Sequence, residues 1–219
     1  TWKRMELEHK RWSRKAEAQR ERAEKARLEV PAKLEAQLDT LRDPGFKNPA
    51  DVSKWQRYLY DRMRNLEGDK NSRWSIGNWR DLEPEFGPRT PRAFRDGMVH
   101  FWRQYTPKLA SEGAAQGSTP FADIFGLAGL TIETAEDPTM LWRLPSAEAA
   151  VAFRYATKEL NGFPPWFPAL SSAHPDVVKS MVLAEVTFEL ESDSEGAPSQ
   201  YIIYDLSRFG EWLWDSIAP

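Results

Sequence analysis

The chain has 219 residues, of which 41% are hydrophobic and 12% aromatic, and it carries a formal net charge of −3. A chain of this length can form one large domain or two small ones around a buried core. The mildly acidic balance argues against a nucleic-acid-binding protein, and the absence of cysteine excludes disulfides, thiolate zinc sites and cysteine nucleophiles. No stretch approaches the roughly 18 apolar residues that a membrane-spanning helix needs, which is compatible with a cytoplasmic protein.

Residues 1–42 are rich in strong helix formers and contain twelve Lys or Arg against eight Asp or Glu. This pattern predicts a charged helix that serves as a linker or brace, with residues 43–219 as the main domain. Apolar residues near its end step by three and four, so we expect that end to dock on the rest of the protein. Pro31 predicts a kink or a restart of the helix. The alternatives are a coiled-coil contact and a basic helix that binds nucleic acid.

The sequence after Asp43-Pro44-Gly45 predicts a series of helices separated by corners. A helix is expected to start at residues 48–51 and to end near Gly68. A short helix or turn follows between Trp74 and Arg80, and residues 83–88 form a corner with two prolines.

An amphipathic helix is predicted from Pro91 to Tyr105, and residues 106–119 are predicted to be a loop. Gly97, inside this helix, would let a neighbouring element approach closely. The run from Pro120 to Glu136 is apolar or small on nearly every side and predicts a buried helix, with a short strand as the alternative. Its two glycines, three residues apart at 126 and 129, suit close contact between helices.

Residues 141–190 predict a unit of helix, aromatic corner and helix. Ser146 is a plausible N-cap for the first helix, which is expected to end at Asn161-Gly162. The corner at residues 163–168 holds three aromatic residues, which we expect to fill the space between helices. The second helix is predicted to open at His174-Pro175.

The end of the chain predicts an acidic loop at residues 191–199 followed by a further element. Periodicity cannot assign Tyr201–Tyr204 between helix and strand, but the continuing spacing favours a helix. Because the chain begins at Thr1 rather than at methionine, we expect it to be a fragment of a longer protein.

The sequence predicts no catalytic, cofactor-binding or metal-binding residues. No zinc-protease, nucleophile-elbow or nucleotide-binding motif is present, and the Gly-rich residues 113–118 lack the lysine that a phosphate loop needs. The one catalytic alternative is an unfamiliar hydrolase or effector site formed by Asp96, His100 and Glu133.

Several patterns resemble a known kind of protein: WSIGNWRDLEPEFGPRTPRAFRDGMVHFWRQYTP, STPFADIFGLAGLTIE, and AFRYATKELNGFPPWF with AHPDVV. They are similar to the helical-repeat portions of large bacterial NACHT-type STAND NTPases of anti-phage defence, over Trp74–Pro219. The resemblance implies that the ATPase and any effector domain lie outside these 219 residues. It also implies that this portion is a sensor or scaffold.

These observations together predict an all-α protein, an irregular α-solenoid of about eight to ten helices with a protruding charged N-terminal helix. The expected function is protein recognition or scaffolding without catalysis, with an oligomeric state that the sequence leaves open. Exposed aromatic residues would anchor the protein partner, although core packing is the favoured role for each of them. The candidate anchors are Trp74, Trp79, Trp166, Phe167, Trp212 and Trp214.

Overall fold

The structure is a computed structural model of the chain and describes residues 2–43, 53–68, 73–114, 118–192 and 201–214. Within these ranges all regular structure is helical and no strand occurs, which confirms the all-α prediction. The arrangement of the helices as a repeating solenoid stays a prediction. The α-helices are α1 (Trp2–Glu35), α2 (Leu38–Arg42), α3 (Lys54–Leu66), α4 (Glu83–Phe86), α5 (Arg89–Gln104), α6 (Phe121–Glu136), α7 (Ser146–Ala156), α8 (Phe167–Ala173), α9 (Pro175–Glu191) and α10 (Tyr201–Phe209).

Helix α1 is the charged N-terminal helix that the sequence predicts. Between Trp2 and Glu29 its described side chains are exposed, apart from the half-buried Ala16. Pro31 lies inside the helix, and the break comes only at Ala36 and Gln37, before α2. Leu34, at the end of α1, and Leu38 and Leu41 of α2 are buried against the rest of the protein. The docking of this end is therefore confirmed.

The apolar interior consists of two core clusters that meet at α5 and α6. The N-terminal cluster includes Leu34, Leu59, Met63, Phe94, Met98, Phe101, Phe125, Ala128 and Ile132. The C-terminal cluster includes Trp102, Leu127, Leu130, Phe153, Tyr155, Trp166, Phe167, Val178, Val182 and Leu206. Helix α6 supplies residues to both clusters, which explains why its sequence is apolar or small on nearly every side.

Three glycines allow neighbouring elements to approach closely. A Cβ atom at Gly97 would overlap the carbonyl oxygen of Leu41, and one at Gly129 would overlap the carbonyl oxygen of Met98. A Cβ atom at Gly126 would overlap the phenol of Tyr155. Helix α5 therefore touches α2 through Gly97, while α6 touches α5 through Gly129 and α7 through Gly126, as the spacing predicts.

The helix from Pro91, the buried helix up to Glu136, the helix opening at Pro175 and the helix from Tyr201 are all confirmed. The predicted start at residues 48–51 lies outside the described residues. So do residues 193–200, which hold most of the predicted acidic loop. Helix α3 begins with Ser53 as its N-cap, and the Ser53 hydroxyl accepts a hydrogen bond from the Gln56 backbone N–H at 3.3 Å.

Three predictions of detail were wrong. Residues 83–86 of the expected corner form a helical turn, α4, because Pro84 falls in a first turn, where its missing N–H costs nothing. Ser146 is the first residue of α7 and not its cap, and α7 ends at Ala156, six residues before Gly162. The sequence did not predict α8, which starts inside the corner at Phe167 with Pro168 in its first turn.

Candidate functional site

Most of the aromatic residues that the sequence offers as partner anchors belong to the core. Trp79, Trp166 and Phe167 are buried, and Trp74 is half-buried against the C-terminal cluster. The indole Nε1 of Trp79 donates to Glu136 at 3.1 Å, and that of Trp166 donates to the Thr131 hydroxyl at 3.0 Å. A buried indole with a satisfied N–H fixes helices together and is not available to a partner.

Trp212 and Trp214 are the two candidates that remain exposed, and they lie with two further aromatic residues at the C-terminal end of the described chain. Tyr204, Phe209, Trp212 and Trp214 are 52%, 43%, 40% and 53% exposed, and we call this set the aromatic end.

The segment that carries the aromatic end is held in place by its own buried residues, which pack into the C-terminal cluster. Ile202 and Leu206 of α10, and Leu213 in the following 3₁₀ turn, are buried in the C-terminal cluster. The Trp212 ring meets Phe167 edge-on with ring centroids 5.4 Å apart, and its Nε1 donates to the Phe209 carbonyl at 3.2 Å. The exposed rings are therefore attached to a backbone that is packed against the core. Sequence reasoning missed Tyr204 and Phe209 as exposed residues. Tyr204 lies out of phase with the buried Ile202 and Leu206, whereas Phe209 continues their helical spacing and gives no sequence signal of its exposure.

The stretch of sequence that contains the aromatic end is acidic. Between Pro175 and Pro219 the sequence contains nine Asp or Glu residues, while Lys179 and Arg208 are its only Lys or Arg residues. Three more apolar side chains, Leu183, Phe188 and Leu190 of α9, are exposed in the same part of the chain. Exposed aromatics with acidic neighbours are suited to a partner that presents apolar and basic groups.

Acidic residues also hold α10 against the body. Both carboxylate oxygens of Glu189 accept backbone N–H groups at the start of α10, from Ile202 at 2.7 Å and Ile203 at 3.1 Å. Burial, together with the nearby Glu189 and Glu159, raises the pKa of Asp205 to about 7. The contact between α10 and the body therefore includes a carboxyl group that is hard to ionise.

Asp96 and His100, two members of the catalytic alternative, line one groove of about 480 Å³ between α2 and α5. The third member, Glu133 on α6, does not line this groove. The lining residues are Arg42, Asp43, Arg95, Asp96, Val99, His100 and Arg103.

The charged groups around this groove are paired with one another. The Asp96 carboxylate lies 2.9 Å from Arg95 and 3.9 Å from Arg42. Glu133 accepts from Arg103 at 2.6 and 2.8 Å and from the Trp102 indole at 2.6 Å.

The basic groups of the groove are engaged in the same way. Burial lowers the pKa of Arg103, but its hydrogen bonds to Glu133 and Glu148 outweigh burial and raise that pKa overall. These ion pairs and hydrogen bonds connect α5 to α2, α6 and α7.

A second polar network is buried between α6, α7 and the segment after α5. Asp123 accepts from the Tyr105 hydroxyl at 2.8 Å, and burial raises the pKa of Asp123. The Tyr155 hydroxyl donates to the Tyr105 carbonyl at 2.9 Å, and burial lowers the pKa of Lys158. Each of these groups has a polar or charged neighbour within the protein, so the network is accounted for by helix packing.

No group of three or more His, Asp or Glu residues that could hold a metal ion occurs in the described ranges. Among the same residues, none of the helices has the length and hydropathy needed to cross a bilayer. No protein-family model, curated protein or solved structure matches the chain.

Proposed function

We propose that this chain is a non-catalytic helical region for protein recognition or scaffolding, and that the aromatic end is its partner-binding surface. The observation that supports this most directly is the exposure of four aromatic rings on a segment that is fixed to the core by the buried Ile202, Leu206 and Leu213. Aromatic residues are enriched among the side chains that dominate binding energy at protein interfaces.

The partner is a protein that places apolar side chains between Lys or Arg residues. Burying apolar surface in an interface contributes about 25 cal/mol per Å² to the free energy of binding. The exposed aromatic rings are the side chains at this end that can contribute most. The acidic neighbours favour a basic partner and raise the rate of encounter with it, an effect that salt screens.

The wider setting follows from the residues quoted above for the helical-repeat resemblance. In that setting the chain is the sensor or scaffold portion of a larger cytoplasmic NTPase of bacterial defence, and an ATPase domain lies elsewhere in the protein. This part of the proposal rests on the sequence patterns alone.

The proposed surface is tested with two helical peptides of matched apolar content, one rich in Lys and Arg and the other rich in Glu. Fluorescence anisotropy of each labelled peptide is measured against the intact chain at low and high salt. We expect the basic peptide to bind and its affinity to fall with salt, and the acidic peptide to bind at least tenfold more weakly.

The double variant Trp212→Ser and Trp214→Ser should weaken binding of the basic peptide at least tenfold. Trp142→Ser is the matched control, because Trp142 is exposed but lies between α6 and α7. Equal binding of both peptides, or equal losses in the control and the double variant, would contradict the proposal.

A further inference from the structure

Among the described residues of helix α1, four bulky apolar side chains are largely in water, and three of them, Trp2, Met5 and Trp12, lie in its first half. Trp2, Met5 and Trp12 are 79%, 67% and 75% exposed. They occupy the a and d positions of a seven-residue repeat when Trp2 is taken as position a. The seam of this repeat, which we call the α1 seam, comprises residues 2, 5, 9, 12, 16, 19, 23 and 26. A repeat sustained over about three and a half heptads within one helix is the pattern of a coiled coil.

The side chains of the α1 seam become smaller from its first half to its second half. Its first half holds the bulky residues, whereas the sequence has alanine at positions 16, 23 and 26. If two copies of α1 pair antiparallel, position 2 of one copy faces position 26 of the other. Position 5 then faces position 23, and position 12 faces position 16. Every bulky residue meets a small one, which lets the helices interlock.

The remaining layer of the α1 seam fixes the register. The same antiparallel pairing brings His9 of one copy opposite Gln19 of the other, twice by symmetry, and polar residues at seam positions specify alignment in a coiled coil. In a parallel pair Trp2 would face Trp2 and Trp12 would face Trp12, while the alanine layers would leave gaps.

The charges that flank the α1 seam favour the antiparallel pairing. Glu6 of one copy flanks Arg20 of the other, and Glu8 flanks Arg22, with each pair occurring twice by symmetry. Lys15 faces its own counterpart near the centre and is the one like-charge pair among these flanking positions. A parallel pair would instead place Lys15 beside Arg20. Within its own helix Glu6 meets Lys10 at 2.8 Å, a surface pair that can rearrange at little cost.

The paired segment also fits the shape of the protein. Residues 2–26 lie on the part of α1 whose described side chains are exposed, apart from the half-buried Ala16, and the first fully buried side chain of α1 is Leu34. The partner helix can therefore lie along α1 for roughly 36 Å, at 1.5 Å per residue, before the body begins.

We propose that two copies of this chain associate through an antiparallel coiled coil of their α1 helices. The partner of this surface is a second copy, and the inference is independent of the function assigned to the aromatic end.

Sedimentation equilibrium of the intact chain tests the association. We expect a monomer–dimer equilibrium, and the variant Trp2→Ser with Trp12→Ser should raise the dissociation constant at least tenfold. The control Leu28→Ser should leave it within about twofold, because Leu28 is 73% exposed but lies off the α1 seam. Trp212→Ser should also leave the dimer unchanged.

The register is tested with cysteine pairs, which the cysteine-free sequence makes specific. Oxidation of His9→Cys protein mixed with Gln19→Cys protein should give a mixed disulfide dimer, and each variant alone should give little. Glu6→Arg with Glu8→Arg should weaken the dimer, and adding Arg20→Glu with Arg22→Glu should restore it. A monomer at every concentration, self-crosslinking of His9→Cys alone, or a dimer that resists the seam variants would each overturn the proposal.

Discussion

Gly129 of α6 lies directly against the backbone carbonyl of Met98 on α5, and this contact sets the distance between the two central helices. Any side chain at position 129 would occupy the space of that carbonyl oxygen. Because backbone atoms of two packed helices cannot move apart locally, the whole α5–α6 contact must open to admit a methyl group.

Gly129→Ala is therefore expected to lower the free energy of unfolding by about 3 kcal/mol or more, at the upper end of what overpacking costs. Urea denaturation followed by circular dichroism measures this change. Gly68→Ala is the matched control, since no atom lies within 4 Å of a Cβ placed there, and its effect should stay within about 0.5 kcal/mol. Equal stability of the two variants would show that α5 and α6 are not in backbone contact.

Glu159→Gln should destabilise the protein by about 1 to 3 kcal/mol, because it weakens hydrogen bonds made to a buried carboxylate. Glu159 is buried and accepts the backbone N–H groups of Trp74 at 2.7 Å and Ser75 at 3.2 Å. Glutamine keeps only one acceptor oxygen and no charge. The exposed Glu191→Gln serves as the control in the same denaturation series, and a loss there as large as that of Glu159→Gln would argue against the assigned role.

Asp205→Asn should change how stability depends on pH. The pKa of Asp205 is raised to about 7 in the folded protein, against about 3.9 in an unfolded chain. Between these values the folded state holds a proton that the unfolded state has lost, so stability falls as pH rises from about 4 to about 7. The asparagine side chain cannot ionise, so the variant does not lose this stability as the pH rises.

We expect Asp205→Asn to match the parent protein near pH 4 and to exceed it by about 1 kcal/mol at pH 8, after allowance for the partial exposure of Asp205. Thermal unfolding across this pH range provides the measurement. Asp61→Asn, on the exposed face of α3, should leave the pH profile unchanged. A difference in stability between the variant and the parent that does not grow between pH 4 and pH 7 would contradict the environment assigned to Asp205.

Arg103→Ala should cost about 1 to 2 kcal/mol through lost packing and ion pairing. The guanidinium lies 4.1 Å from the centre of the Trp102 ring and bridges Glu133 on α6 and Glu148 on α7. Arg92→Ala, on the exposed face of the same helix, is the control for lost charge alone. If the two variants unfold at the same urea concentration, the bridge contributes nothing measurable.

The sequence was most informative at positions where only one residue type suits the local structure. Gly126 and Gly129 predicted close helix contacts because only glycine tolerates them, and Phe163 and Trp166 predicted a filled corner because wet aromatic rings are costly. Helix ends were less predictable, because α7 stops at Ala156, six residues before the glycine that usually marks a helix end. For the candidate sites, i,i+4 spacing places Asp96 and His100 together, but the pairing of Glu133 with Arg103 depends on how α5 and α6 pack. The exposure of Trp212 and the burial of Trp166 likewise follow from tertiary structure, since both are tryptophans beside apolar residues.

The position of α6 between the two core clusters determines how the molecule can come apart. Removing either cluster would expose one apolar side of α6 to water. The two halves should therefore melt in a single calorimetric transition, and no shortened version that cuts near α6 should behave well on its own. Any shortened protein made for crystallisation or for binding studies of the aromatic end needs both halves intact.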